Sequence, residues 1–197
     1  MFSYDRIEEI HPGVTACFVQ GCAGDQKPMP VDAKADSFVP REIGEIRDIG
    51  VQLGEAVNRV IASDALEPVE GPVVLTQTVL GLKTEPVDVA FVKRSLDDDR
   101  GFVQDWATYL LDRIENGAPV ERVVPFEVQT VRFWDSLGIF TLAGEMSVEH
   151  GLRLKRELGA YFGNALVIAY TNHIVGYVPA KRQIPEGGTR CGSTSSI

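Results

Sequence analysis

The chain is poor in the residues that build ready-made reactive centres. It has three histidines and three cysteines in 197 residues. His11, His150 and His173 leave little room for a self-contained three-histidine metal site. Cys17, Cys22 and Cys191 form neither a CxxC pair nor a zinc-ribbon spacing. So sparse and odd a count suits reduced thiols, and cytoplasm is the default expectation. No window approaches the roughly 20 apolar residues that span a bilayer. The start, Met1 to Arg6, has no basic segment leading into an apolar run, so no signal peptide is expected. Basic charge is also short: 19 Lys and Arg face 28 Asp and Glu, a formal charge of −9. That balance argues against nucleic acid or an anionic membrane as the main partner, since either rewards a basic face. Also missing are a GxSxG elbow, a Walker loop, an HExxH helix and a GxGxxG turn after a strand.

What is present reads as an ordinary globular composition, 44% hydrophobic and 24% charged. The length suits one well-buried domain, or at most two small ones. A single α/β domain over 1–197 is expected, with the small, polar stretch 187–197 as a flexible tail. Val14 to Val19 reads as a buried strand, stopped by the loop Gln20 to Pro28 with its two glycines and proline. From Arg41 to Ala62, Ile43, Ile46, Ile49, Leu53, Val57, Val60 and Ile61 recur at the spacing of one helix face. Val73 to Leu82 is β-branched and partly alternating, hence a strand. Phe102 to Ile114 has helical spacing and ends at Asn116-Gly117-Ala118-Pro119. The acidic run Asp97-Asp98-Asp99 ahead of it suits a solvated helix entrance; a divalent-cation site is the alternative. Val123 to Trp134 is a long strand, with Val124, Phe126, Val128, Thr130 and Arg132 on one face and Val123, Glu127, Val131 and Phe133 mostly on the other.

The strand Leu137 to Leu142, a helix from about Met146 to Leu158 and the strand Ala165 to Tyr170 then form a β-α-β unit, normally parallel with a right-handed crossover. The expected fold class is therefore α/β: a mixed sheet flanked by helices, closing on that unit. Within it, Glu145 stands at a strand-to-helix crossing, where binding and catalytic groups are often mounted. Taken alone, a glutamate in a first helical turn is more simply explained by the helix dipole. His173 follows the second strand, and parallel neighbours present their carboxyl ends at one sheet edge, so the crossover can bring Glu145 and His173 together. Both are ordinary zinc ligands, although a site needs three or four. His150, five residues beyond Glu145, reads as a surface histidine.

Three segments together resemble the neutral/alkaline ceramidase family, in its bacterial ceramidase-like branch. Gly144-Glu145-Met146-Ser147 and the helix through Leu154 resemble that family's P-G-E-[FM]-T segment and the helix after it. Phe18 to Pro28 resembles its strand and G-D-V-S-P-N loop. Ala169 to Pro179, with Glu186-Gly187-Gly188, resembles its N-x-Y-x-x-Y…Y-E-G segment. The matches keep the family's order and cover roughly the second half of its catalytic domain. The resemblance implies zinc-dependent hydrolysis of an N-acyl amide in a lipid-type substrate, with zinc polarising the carbonyl and activating water.

It further implies Glu145 as a metal ligand, His173 at the position of the family's ligating tyrosine, and Asp25 and Lys27 at catalytic-loop positions. The departures are chemical. Lys27 replaces the loop serine, Gln26 its valine and Met29 its asparagine, and the family's two upstream metal histidines have no counterpart. The expectation is an incomplete amidase, completed by a missing N-terminal segment or a partner. Two readings from other classes stand beside it. One is a non-catalytic binding or assembly module that covers exposed apolar surface by self-association. The other is an unrelated small-molecule enzyme using Glu145 or Asp25 as a general base.

Overall fold

The computed structural model describes residues 2–27, 31–32, 37–38, 41–84, 86–118, 120 and 123–185. Met29, Glu186-Gly187-Gly188, Cys191 and the expected tail lie outside these residues. The chain divides into two compact units, Met1–Gln20 with Gln26–Pro72, and Gly21–Asp25 with Val73–Ile197.

In the first unit, α1 (Phe2–Ile10) packs against α2 (Ile43–Ile61), with the short antiparallel pair β1 (Val31–Asp32) and β2 (Ser37–Phe38) between them in sequence. Two glycines one turn apart on α2 set the approach. A methyl on Gly50 would stand 2.6 Å from Phe2 Cβ, and one on Gly54 2.9 Å from Arg6 Cβ. Any larger residue at either site would push the helices apart. Arg6 then bonds Glu55 at 2.7 Å and Glu9 at 2.8 Å. Helix α2 opens where the Glu42 N–H donates to the Glu45 carboxylate at 3.0 Å, which draws that carboxyl below its usual range. The spacing predicted this helix to within two residues. Its apolar stripe is nevertheless exposed, Ile43, Ile46, Leu53 and Val60 among it.

The expected strand over Val14 to Val19 is absent. Those residues join no ladder, and Val14, Phe18 and Val19 are exposed. An apolar run forms a strand only where a neighbour accepts its backbone hydrogen bonds, and among the described residues this segment pairs with no strand.

The second unit is built on a four-stranded mixed sheet in the order β3-β4-β5-β7. Strands β3 (Val73–Lys83) and β4 (Val123–Phe133) pair antiparallel along their full length, Val73 opposite Phe133 and Lys83 opposite Val123. A turn through Trp134 returns the chain as β5 (Leu137–Leu142), antiparallel to β4. Helix α5 (Val148–Leu158) crosses over, and β7 (Asn164–Ile168) runs parallel to β5 from Leu137 opposite Asn164 to Thr141 opposite Ile168. This is the predicted α/β arrangement with its β-α-β unit. On the β4 face expected to carry Val124, Phe126, Val128, Thr130 and Arg132, Arg132 is exposed and Val128 packs half-buried. Phe126 is buried and, with Leu142, Ala143, Met146, Val167 and Ala169, forms the core, on which Leu154 of α5 packs.

The opposite face carries an apolar row in register across all four strands, Leu75–Val131–Ile139–Leu166. Leu75 is 70% exposed and Leu166 36%. Between β3 and β4 in sequence, α3 (Val89–Arg94) and α4 (Gly101–Glu115) enclose a satellite cluster of Val92, Ala107, Leu110 and Leu111. The acidic run lies at their junction. Asp98 accepts from Arg100 Nε at 2.7 Å and from its backbone N–H at 2.9 Å, which accords with a helix entrance.

Candidate functional site

The loop Gly21–Asp25, the crossing after β5 and the segment after β7 meet at the amino end of α5. The junction is a very short parallel pair, β6 (Glu145–Met146) with β8 (Tyr177–Val178). Glu145 N–H donates to Gly176 O at 2.8 Å and Ser147 N–H to Val178 O at 3.2 Å. From the loop, Gly24 N–H donates to Met146 O at 2.8 Å. The fit is close. A methyl on Gly24 would lie 2.7 Å from Tyr177 Cε2 and 3.1 Å from Glu145 Cγ, so only glycine admits the loop there. At Gly144, φ is +90° and a Cβ would meet Gly176 O at 3.1 Å. That position favours glycine on both counts.

Asp25 closes the junction. Its Oδ1 accepts the backbone N–H of Val148, the first residue of α5, at 2.7 Å, and its Oδ2 accepts the Gln183 side-chain amide at 2.9 Å. A helix start leaves its first N–H groups without helical partners and carries partial positive charge, so a carboxylate there serves as cap and counter-charge together. The local cap residue does not supply this: Ser147 is 0% exposed and its hydroxyl caps nothing. His150 is drawn into the same junction, half-buried, with Nε2 3.1 Å from Pro179 O. It is not the simple surface histidine that its spacing suggested. Neither the pairing of β6 with β8 nor the reach of Asp25 carries a sequence signal, since both join segments far apart in the chain.

The other expected site residues divide. Glu145 is half-buried beside Gly24 at the junction. His173 lies beyond β7 and is exposed, in a loop where Tyr170 (φ 57°) and Asn172 (φ 61°) take left-handed backbone. Asn172 Nδ2 donates to Glu127 Oε1 at 2.5 Å. Lys27 is exposed and belongs to the other unit. Cys22 is half-buried with its Sγ against Gly151, and burial pushes its thiol pKa up.

The resemblance implies zinc, so the donor set matters. Among the described residues, no three His, Cys, Asp or Glu side chains converge as a metal site. Zinc asks for at least three protein ligands, and Glu145 with His173 would supply two at most. These residues do not fit a complete zinc centre. Compared with known proteins, the chain matches no family model, no curated protein and no solved structure.

Proposed function

We propose that this chain is a non-catalytic binding and assembly module on a ceramidase-like scaffold. The observation that carries this reading is the state of Asp25. The residue the resemblance marks as a loop carboxylate has each oxygen in a structural hydrogen bond, one to a helix N-terminus and one to Gln183. A carboxylate tied by both oxygens to the protein's own framework is used as a helix cap and loop anchor, which supports a structural role for Asp25 over that of a general base. The apolar row on the other sheet face, exposed at Leu75 and Leu166, gives such a module a surface to use.

The test compares Asp25→Asn with the parent chain for folding stability and for hydrolysis of a fluorogenic N-acyl amide with zinc present. The module reading expects a stability change and no zinc-dependent hydrolysis by either protein. Zinc-dependent hydrolysis by the parent would overturn it, and its loss in a well-folded Asp25→Asn would assign that carboxylate a part in the reaction.

One observation favours a second reading. The three segments carrying the resemblance converge in space around Glu145. On that reading the chain contributes Glu145 and His173 to a zinc amidase centre whose remaining ligands come from elsewhere, acting on an N-acyl lipid. Zinc titration of the parent, Glu145→Ala and His173→Ala separates the two: weak binding weakened further in both variants supports the partial centre, and binding indifferent to both removes it.

A further inference from the structure

We infer that β3 is the contact edge of a homodimer, pairing antiparallel with the β3 of a second copy about a two-fold axis at Gln77. The inference rests on the assembly reading and names its partner.

Strand β3 is an outer strand of the sheet, eleven residues long, and every residue along it but Leu82 is exposed. An outer strand presents a row of unpaired N–H and C=O groups, and proteins that must stay apart protect such edges with charge, proline, bulges or brevity. None of these devices interrupts Val73 to Leu82, which contains no charged residue and no proline. In a chain of net charge −9, it is a neutral segment along which two copies can approach without like-charge contact.

The sequence of the edge identifies the partner. Around Gln77 it reads Val74-Leu75-Thr76-Gln77-Thr78-Val79-Leu80. Reversed, the order of residue classes is the same. Antiparallel pairing centred on Gln77 sets Thr76 opposite Thr78 of the copy, Leu75 opposite its Val79, and Val74 opposite its Leu80. Directly opposed residues in an antiparallel pair point to the same face, so each apolar side chain meets an apolar one and each threonine a threonine, the pairings that favour sheet formation. A foreign strand would need to match this pattern by chance; a second copy matches it by symmetry. Because the contact is isologous, it closes at two subunits. It also joins the rows Leu75–Val131–Ile139–Leu166 of the two copies side by side, giving one eight-stranded sheet.

The test uses the full chain in sedimentation equilibrium, with circular dichroism to verify folding. The parent should sediment at twice 21.6 kDa. In Leu75→Lys/Val79→Lys, each lysine faces a lysine of the copy, and the dissociation constant should rise by about tenfold or more. In Leu75→Glu/Val79→Lys, each glutamate faces a lysine across the axis, and the dimer should return. A monomeric parent overturns the proposal, as does an open-ended oligomer, a dimer indifferent to both changes, or one that both changes abolish. If the double-lysine protein does not fold, hydrogen exchange of the parent decides: β3 amides protected more strongly as concentration rises support the edge contact, and concentration-independent exchange refutes it. Each of these failures leaves the non-catalytic reading to its own assay, since a monomer without amidase activity contradicts only the dimer.

Discussion

Asp25 accepts the backbone N–H of Val148 at 2.7 Å across 123 residues of sequence. It caps a helix whose own cap position, Ser147, directs no side-chain bond to it. The amino end of α5 is therefore held by a distant loop, and the loop in turn is held by the helix.

Removing that cap should cost stability more than it changes secondary structure. Asp25→Ala leaves the Val148 N–H and the Gln183 amide without their acceptor, a loss of about 1–3 kcal/mol. Asp25→Asn retains an acceptor for Val148 and should lose less. Urea denaturation of both variants checks the order.

Gly24→Ala should destabilise by a comparable amount, about 1–3 kcal/mol from overpacking, because its methyl would press on Tyr177 Cε2 at 2.7 Å. If the strain arises at that ring, Tyr177→Leu in the Gly24→Ala background should recover part of the loss. Thermal unfolding of the single and double variants measures the coupling.

The two cysteines of the described chain should differ in reactivity. Cys17 is exposed, whereas Cys22 is partly covered and has its thiol pKa raised by burial. The thiolate is the reacting form. At neutral pH iodoacetamide should label Cys17 first and Cys22 more slowly, with peptide mass spectrometry following each site. Equal rates would mean that the loop leaves Gly151 readily.

The pH dependence at the α4 entrance has a definite sign. The Arg100 side chain, and then its backbone N–H, hold the Asp98 carboxyl down to about 2, against an ordinary aspartate near 4. A lowered folded value gives stability that is present above the ordinary value and fades as pH falls through the folded one. Asp98→Asn should therefore flatten the acid limb of the stability curve between about pH 4 and pH 2. The effect should be small and salt-sensitive, because the pair is exposed to solvent.

Periodicity served well wherever local chemistry decided the structure. Helix α2, strands β3 and β4, and the β-α-β unit follow from residue spacing within single windows. It failed at Val14 to Val19, where composition suits a strand but the segment pairs with no strand among the described residues. It also missed helices α1 and α3, which are short. The stripe on α2 was legible as apolar, but its exposure was not, since burial depends on what else is nearby. At the site, Glu145 and Asp25 were visible as carboxylates at loop and crossing positions. Their joint geometry was not, because Asp25 to Val148 and Glu145 to Gly176 are contacts between segments with no shared periodic pattern.

The docking of residues 21–25 into the later unit also sets an order on folding. Asp25 leaves the ribosome more than a hundred residues ahead of the helix it caps. Until then α5 has no cap to receive, and the loop has no helix to hold. The closing of this long loop is an entropic cost met only once the sheet has brought β6 and β8 together. The amino end of α5 should therefore be among the last parts of the second unit to gain protection during refolding.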